Sequence, residues 1–325
     1  MRVGIIGSGS LGSLFAAYLS KHFEIVLLGH WPEQMAALRK NGLTVIHPNN
    51  SKSQFYFPII EDPTSTSPID IALILVKSYQ TERATVEAKS LLSSNGMAIT
   101  LQNGLGNFEA IAKIIGADRV VQGVTAIGAN MVKPGIVHYA GNGDTSIAHS
   151  TKNLRALTQM VTLFNNSGFK TGLVENIESL VWGKLAVNSA INPITALLKI
   201  PNGFIVSNSA AKNIVIETAE ETSKVAKALG ISLPYEYAGE QAIAVAQATA
   251  KNRSSMLQDI LRGAPTEIDA ICGQVVSYGK ACGIKTPLNN EFYRLIGSTS
   301  DKIIGQKVRS KLIPINELLF AARNY

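Results

Sequence analysis

The stretch "RVGIIGSGSLGSLFAAYLSK", residues 2–21, decides the fold of the first half of the chain. It predicts a buried strand over residues 3–6, a tight glycine turn, and a helix that runs to about residue 21. A GxGxxG pattern lies between that strand and that helix, where the backbone can approach a pyrophosphate at the positive end of the helix. We therefore expect a dinucleotide site. Its expected contacts are Gly7, Ser8, Gly9, Ser10, Leu11 and Gly12.

The second predicted strand, residues 24–28, ends without an acidic residue. In sites for NAD an Asp or Glu at this point binds the ribose 2′-OH, about 20 residues beyond the glycine motif. This chain instead offers Leu28, Gly29 and His30. The absence of a carboxylate removes the repulsion that rejects a 2′-phosphate, so the pattern favours NADP over NAD. His30 is either a donor to that phosphate or an ordinary surface histidine.

Two further apolar strands bring polar residues to the same edge of the predicted sheet. They lie in "IDIALILVKSYQT", residues 69–81, and "NGMAITLQNGLGN", residues 95–107. Ligands of doubly wound sheets bind outside the carboxyl ends of the strands. We therefore expect Lys77, Gln80 and Asn103 to contact the cofactor, although Asn103 also suits a turn or a helix cap.

The rest of the first half completes an α/β fold. "NMVKPGIVHYAGNG", residues 130–143, predicts a β-hairpin that turns at Pro134–Gly135 and extends the sheet in an antiparallel direction. From residue 176 onward β-patterned segments disappear, and apolar residues recur at helical spacing. We predict an N-terminal Rossmann-type dinucleotide-binding domain over residues 1–175 and a C-terminal all-helical domain over residues 176–325.

The stretch "KLAVNSAINPITALLKIPNG", residues 184–203, places three polar residues four apart. Lys184, Asn188 and Asn192 therefore share one stripe of a helix with apolar neighbours. An unpaired buried polar group costs roughly 2–7 kcal/mol on transfer scales, so three in register favour a ligand site. The alternative is that the lysine extends to solvent and the amides cap neighbouring backbone. Pro193 is expected to kink or stop this helix beside Asn192.

The last third predicts two more helical features. One helix is expected through "IAVAQATAKNRSSMLQDIL", residues 243–261, and it should end where Gly263 and Pro265 break the pattern. Glu267 then falls in the first turn of the next helix, where the helix dipole stabilises an anion.

Composition limits the remaining classes of function. The chain has 325 residues, of which 46% are hydrophobic and 16% charged, and its formal net charge is +7. This charge suits an anionic substrate, and because Lys and Arg are dispersed we expect no nucleic acid partner. Cys272 and Cys282 lack metal-ligand spacing, so we expect no metal. No apolar run reaches ~18 residues and no signal peptide is evident, so we expect a cytoplasmic protein that does not bind membranes.

Several segments occur in the order typical of one enzyme family. These are "GSGSLG", "VKSYQT", "QNGLGN", "WGKLAVNSAINPITAL", "PNG" and "SSMLQDILRGAPTEID". On these segments the chain resembles the ketopantoate reductase (2-dehydropantoate 2-reductase) family nearly from end to end. The two longest segments are far more specific than the glycine motif.

The resemblance implies roles for particular residues. Lys184 corresponds to the general acid, and Glu267 to an acidic residue at both the active site and the cofactor. The implied substrate-binding residues are Asn103, Asn188, Asn192, Asn202 and Ser255. The implied NADP contacts are the glycine turn, Lys77, Asn103 and Ala129. Family members often have an arginine where His30 stands.

The resemblance implies NADPH-dependent reduction of 2-dehydropantoate to (R)-pantoate in the biosynthesis of pantothenate and coenzyme A. Lys184, Ser255 and Glu267 are expected to meet at a cleft between the domains. One alternative is a reductase of the same fold that acts on another small-molecule 2-oxo acid. A non-catalytic dinucleotide sensor is the other, although a sensor needs no proton donor. A homodimer is one option for its assembly.

Overall fold

The computed structural model describes the fold of residues 1–305 and the side chains of residues 1–297. The chain divides into two compact units. The first comprises Met1–Gln102 and Gly106–Ile177, and the second comprises Asn103–Leu105 and the chain from Glu178 onward. The predicted helical domain extends to residue 325, so its part beyond residue 305 lies outside the described residues.

The first unit alternates strands and helices around two sheets. Its strands are β1 (Arg2–Ile6), β2 (Glu24–Leu28), β3 (Leu43–Ile46), β4 (Lys52–Phe55), β5 (Ile59–Ile60), β6 (Ile69–Ile74), β7 (Leu92–Thr100), β8 (Val120–Thr125), β9 (Gly128–Lys133), β10 (Ile136–Gly141), β11 (Thr145–Ala148) and β12 (Thr171–Val174). Its helices are α1 (Ser10–Leu19), α2 (Pro32–Asn41), α3 (Thr81–Leu91), α4 (Asn107–Ile115) and α5 (Leu154–Asn166). An eight-stranded sheet has the order β12-β11-β8-β7-β6-β1-β2-β5, and a four-stranded sheet has the order β4-β3-β10-β9.

The eight-stranded sheet has the predicted doubly wound character. β1 pairs in parallel with both β2 and β6. On one face Val3 and Ile5 pack in the same apolar cluster as Phe15 of α1. Ile6 belongs to a different cluster, which includes Ala88 of α3. Because both faces of the sheet are covered, its strands are continuous apolar runs. The carboxyl ends of β1, β2, β6 and β7 share one edge, where ligands of such sheets bind.

The predicted hairpin at Pro134–Gly135 forms, but the prediction that it extends the main sheet is wrong. β9 and β10 pair antiparallel, and Gly135 turns between them with a φ of 79°. β10 then pairs in parallel with β3 in the four-stranded sheet. The turn is held there because the Gly135 N–H donates to Gln34 Oε1 at 2.7 Å and its carbonyl accepts from the Thr44 N–H at 2.9 Å. The antiparallel part of the main sheet is instead formed by β11, which pairs antiparallel with β8, and by β12, which pairs in parallel with β11.

The second unit is helical, as predicted. Its helices are α6 (Ile177–Leu198), α7 (Gly203–Ser207), α8 (Ser209–Ala228), α9 (Ala238–Ala248), α10 (Ser255–Leu261), α11 (Gln274–Cys282) and α12 (Pro287–Gly305), with a π-helical turn at Asp269–Gly273. Its apolar core includes Ala186, Ile214, Val275 and Phe292, which are fully buried. In the part of the chain that the structure describes, no helix has the length and hydropathy to cross a membrane. The same residues contain no cluster of His, Cys, Asp or Glu suited to a metal ion.

Of the two predicted effects of Pro193, a kink or a stop, the stop is wrong, because α6 continues through the proline. A proline inside a helix leaves the carbonyl four residues earlier without its N–H donor. That carbonyl belongs to Ser189, and the buried thiol of Cys272 donates to it at 3.7 Å. The Thr195 hydroxyl donates to the Asn192 carbonyl at 3.1 Å. Side-chain donors therefore support the helix around the point where the proline removes a backbone donor.

The single helix predicted through "IAVAQATAKNRSSMLQDIL" is two helices, α9 and α10. A loop at residues 249–254 separates them. In this loop the Asn252 carbonyl accepts from the Asn202 N–H at 3.0 Å. The Ser254 hydroxyl caps α10 by accepting from the Leu257 N–H at 3.1 Å. Pairing of the loop backbone and a serine cap therefore override the apolar periodicity of this segment.

Candidate active site

The glycine turn between β1 and α1 has the shape that a dinucleotide pyrophosphate requires. A Cβ on Gly12 would lie 1.9 Å from the Gly7 carbonyl oxygen, so only glycine fits at this position. A Cβ on Gly9 would meet no atom of the described chain within 4 Å, which leaves open space there. Gly9 is the N-cap of α1, and no described side chain caps this helix end. The N–H groups of Ser10 and Leu11 are therefore suited to an anion.

Ser8 supports this turn through packing. Its side chain is 5% exposed, and a Cβ on Gly29 would lie 2.4 Å from Ser8 Oγ. The Ser8 carbonyl also accepts from the Ser13 hydroxyl at 3.1 Å. Ser8 therefore joins the glycine turn to the residue that follows β2, at the edge where the ribose of a dinucleotide lies in such folds.

The end of β2 is next to an acid that the sequence analysis missed. His30 Nε2 lies 2.9 Å from Glu87 Oε1. Arg83 Nε lies 3.9 Å from the same oxygen. Glu87 and Arg83 both belong to α3, far along the chain from His30. The one sequence signal is the four-residue spacing of Arg83 and Glu87, which predicts a pair on a helix face and not the contact with His30.

A polar network holds the loop after β6. Lys77 precedes a short 3₁₀ turn that ends at Gln80, and the Gln80 N–H donates to the Lys77 carbonyl at 2.8 Å. The side-chain amide of Gln102 donates to the Val76 carbonyl and to the Thr81 hydroxyl, both at 2.9 Å. Gln102 therefore ties the loop after β7 to the loop that contains Lys77 and Gln80. The sequence analysis assigned it no role.

Ala129 lies apart from that network, in the four-stranded sheet. It is a residue of β9 and pairs with Tyr139 of β10. It is partly buried against the apolar core of the first unit. Of the predicted cofactor contacts, Lys77 therefore follows a strand of the eight-stranded sheet, whereas Ala129 lies within the four-stranded sheet.

The stripe of α6 that contains Lys184 is buried less completely than the opposite side of the helix. The sequence assigns Lys184 to the apolar stripe. The structure buries the opposite side completely at Ala186 and Ser189, whereas Lys184 and Asn188 remain partly accessible to solvent. Asn192, one turn later, is 6% exposed. The polar stripe therefore lies on a side of α6 that is only slightly more accessible than the other side.

The structure brings Lys184 and Glu267 together from distant parts of the sequence. Burial lowers the pKa of Lys184 from 10.5 to about 8, and the negative charge of Glu267 raises it in partial opposition. Glu267 is 5% exposed. It precedes the π-helical turn, and is not within the first turn of a helix as predicted; its carbonyl accepts from the Ile271 N–H at 3.1 Å. A lysine with this pKa keeps its proton at neutral pH and releases it readily, as a general acid must.

Asn188 and Asn192 place two amide groups on the same stripe as Lys184. Asn188 is partly accessible to solvent and Asn192 is 6% exposed. Each amide offers two N–H donors and a carbonyl acceptor. Because amide groups in a largely buried setting need hydrogen-bond partners, the stripe is suited to bind a small polar ligand.

Asn202 and Ser255 lie near the loop between α9 and α10. The Asn202 side chain donates to the Thr249 hydroxyl at 2.9 Å, and its Oδ1 is buried without a partner in the described chain. Ser255 is the first residue of α10 and is partly accessible. The hydroxyl oxygen of its neighbour Ser254 lies 2.7 Å from the hydroxyl oxygen of Thr195 in α6. The start of α10 is therefore fixed to the helix that contains the polar stripe.

Asn103 is grouped with the helical unit, as part of Asn103–Leu105. The Leu105 N–H donates to the Ala270 carbonyl at 2.9 Å. Gly104 has a φ of 80°, and a Cβ on it would lie 2.3 Å from the Ala270 oxygen. Ala270 belongs to the π-helical turn that follows Glu267. Asn103 is therefore held beside the segment that contains Glu267, and π-helical turns are frequent at functional sites.

Both halves of the chain match models of one protein family. The model described as ketopantoate reductase PanE/ApbA matches residues 3–152, and the model of its C-terminal part matches residues 176–299. The 2-dehydropantoate 2-reductase of Halobacterium salinarum is 35% identical over 290 residues, which are 89% of this chain and 95% of that protein. The enzyme of the same name from Archaeoglobus fulgidus is 36% identical over 297 residues, which are 91% and 96% of the two chains.

Solved structures share this fold. A PanE/ApbA family ketopantoate reductase from Ralstonia eutropha has a TM-score of 0.85 at 26% identity and covers 94% of this chain and 100% of its own. D-mandelate dehydrogenase with NADH and anilino(oxo)acetate has a TM-score of 0.86 at 24% identity, with the same coverage, and shows the common fold. With a match in each half of the sequence and relatives similar over nearly their whole length, this chain belongs to the ketopantoate reductase family.

Proposed function

We propose that this protein is an NADPH-dependent oxidoreductase that reduces 2-dehydropantoate to (R)-pantoate, a step in the biosynthesis of pantothenate and coenzyme A. The observation that carries the proposal is Lys184, whose pKa is about 8 beside the charge of Glu267. The substrate is supported by relatives at 35% and 36% identity that are named for this reaction. Ketopantoate reductases use NADPH, which supports the choice of cofactor.

Lys184 is the general acid of the proposed reaction. Reduction of the 2-oxo group places negative charge on the carbonyl oxygen, and the Lys184 ammonium donates a proton to it. A positioned acid of this kind contributes ~10²–10⁴-fold to the rate. Glu267 favours the protonated lysine, because its charge raises the pKa of Lys184. NADPH supplies the hydride when it is bound.

Polar groups around Lys184 would bind and orient the substrate. The amides of Asn188 and Asn192 can donate to the substrate carboxylate and hydroxyl, and the Ser255 hydroxyl can bind a further oxygen. Asn202 and Asn103 complete the proposed set. The formal net charge of +7 favours the approach of an anionic 2-oxo acid.

The first unit would hold the dinucleotide. The open space at Gly9 and the uncapped start of α1 fit a pyrophosphate. The residues proposed to contact the cofactor are Gly7, Ser8, Gly9, Ser10, Leu11, Gly12, His30, Lys77, Gln80 and Ala129, together with Asn103 and Glu267.

We also propose that the enzyme is cytoplasmic and has no nucleic acid partner. Its Lys and Arg residues are dispersed along the sequence, whereas nucleic-acid-binding proteins cluster them. A homodimer is the assembly to test, by measuring the mass of the native protein in solution.

The proposal is tested by following NADPH oxidation with a panel of 2-oxo acids. We expect the highest kcat/KM with ketopantoate. The panel includes 2-oxoisovalerate, which lacks the hydroxymethyl group of ketopantoate, and phenylglyoxylate, which has a planar aromatic substituent. A higher kcat/KM with either compound would assign the enzyme to another 2-oxo acid. No oxidation with any member of the panel, from a chain that binds NADPH, would favour a dinucleotide sensor.

A further inference from the structure

The choice between NADPH and NADH depends on the charge beside the ribose 2′ position. In Rossmann-type folds this position lies at the end of the second strand, where an acid accepts the 2′-OH of NAD and a cation accommodates the 2′-phosphate of NADP. After β2 this chain has Gly29 and His30, and neither is acidic. From the strand alone the site would be neutral or weakly basic.

The structure adds a carboxylate to this position from another element. Glu87 of α3 contacts His30 with an Oε1–Nε2 distance of 2.9 Å, and the two side chains are 19% and 32% exposed. Arg83 approaches the same oxygen at 3.9 Å but is 59% exposed. The end of β2 therefore contains one acid between two basic groups, and the acid is the least exposed of the three.

The position of Glu87 is set by the packing of α3. Ala84, Ala88 and Leu91 of this helix are buried in the same cluster as Ile6 of β1 and Leu28 of β2. The backbone that carries Glu87 is therefore fixed beside the strand end. Partly exposed ion pairs contribute little to stability, so a stabilising role gives a weak reason for a carboxylate at this point.

We infer that Glu87 is a specificity-determining residue that takes the place of the missing acid of β2 and limits the preference for the 2′-phosphate. Its charge offsets that of Arg83 and opposes a phosphate bound beside His30 and Arg83. The same carboxylate can accept the ribose 2′-OH of NADH. This inference rests on the proposed function only in that the chain binds a nicotinamide dinucleotide at the glycine turn.

The test measures binding to the full chain by calorimetry, without substrate. The probes are NADPH, NADH, adenosine 2′-monophosphate and adenosine 5′-monophosphate. The variants are Glu87→Gln, His30→Gln and, as a matched control, Glu24→Gln. Glu24 is another ion-paired carboxylate, 2.8 Å from Arg2 Nε, and it lies at the opposite end of β2 from His30. Melting temperatures establish that each variant is folded.

We expect Glu87→Gln to shift the ratio of Kd values toward NADPH by on the order of tenfold, since it removes one negative charge near a phosphate. The affinity for adenosine 2′-monophosphate should rise in parallel, while that for the 5′-monophosphate stays the same. His30→Gln should shift the ratio toward NADH, and Glu24→Gln should leave it unchanged.

An unchanged ratio in folded Glu87→Gln, or one equal to that of Glu24→Gln, would overturn the inference and leave Glu87 as a surface ion-pair partner only. Failure of the proposed function would give a different experimental outcome. A chain that binds both dinucleotides but does not reduce ketopantoate refutes the proposed substrate, and the shift in Glu87→Gln then still supports the inference. A wild-type chain that binds neither dinucleotide overturns both.

Discussion

The pH dependence of ketopantoate reduction tests the assignment of Lys184 directly. A general acid must be protonated at the start of the reaction, and burial lowers the pKa of Lys184 to about 8. We therefore expect kcat/KM to be constant near pH 7, to fall to half near pH 8, and to decrease about tenfold per pH unit above that. An unperturbed lysine, with a pKa of 10.5, would keep full activity to much higher pH.

Glu267→Gln is the informative change, since it preserves shape and removes charge. Burial lowers the pKa of Lys184 and the Glu267 charge raises it. Removing the charge of Glu267 therefore lowers the pKa of Lys184 further. The midpoint of the kcat/KM profile should therefore move to lower pH, by on the order of one pH unit for a neighbouring opposite charge. The activity at pH 8 then falls even if both proteins bind substrate equally well.

The control is Glu178→Gln, which removes an exposed carboxylate from the first turn of the same helix α6. This variant should keep the wild-type midpoint. The measurement is initial rates of NADPH oxidation at low ketopantoate concentration from pH 6 to pH 10, with melting temperatures for each protein. A wild-type profile that stays flat to pH 10, or a midpoint that moves upward in Glu267→Gln, would refute the reasoning.

Four further outcomes follow from the same structure. Lys184→Ala should lower kcat by ~10²–10⁴-fold. The Kd for NADPH should change little, because the lysine lies in the helical unit and the glycine turn in the other. Near-normal turnover would reject the assignment. The kcat/KM with NADPH should exceed that with NADH by a modest factor, and a ratio at or below one would contradict this. Gly9→Ala should leave the melting temperature unchanged and weaken NADPH binding, since its Cβ would enter open space. Gly12→Ala should instead destabilise the fold by about 1–3 kcal/mol, as its Cβ would lie 1.9 Å from the Gly7 oxygen, and the two melting curves distinguish the cases.

Features encoded within one segment could be predicted from the sequence. β2 has the predicted bounds, residues 24–28, because its apolar run is uninterrupted, begins after Glu24 and is followed by a glycine. The glycine turn follows from three glycines between a strand and a helix. The stripe of Lys184, Asn188 and Asn192 follows from helical spacing, which the structure preserves through Pro193. In each case the pattern and its physical cause lie within about one element of the chain.

Features that depend on contacts between distant elements could not be predicted in this way. Helical spacing locates Lys184 on a stripe but cannot tell which side of α6 its neighbours cover. Pro193 predicts a missing donor, and the replacement comes from Cys272 in a later segment. The absence of an acid at the end of β2 was evident, whereas the approach of Glu87 depends on how α3 packs against the sheet. Spacing in sequence gives no measure of such contacts.

The charge of Lys184 opposes the stability of the fold and serves the proposed chemistry. A pKa that falls from 10.5 in the unfolded chain to about 8 in the folded chain corresponds to roughly 3 kcal/mol. Because the folded state binds this proton more weakly, the full destabilisation applies below pH 8. It decreases between pH 8 and pH 10.5 and is absent at higher pH. Domains of this kind have only about 5–15 kcal/mol of stability in total, so a lysine kept on a central helix at this cost is hard to explain by folding alone. Glu267 reduces the loss without abolishing it, and the result is an acid whose pKa lies close to physiological pH, where proton transfer is most effective.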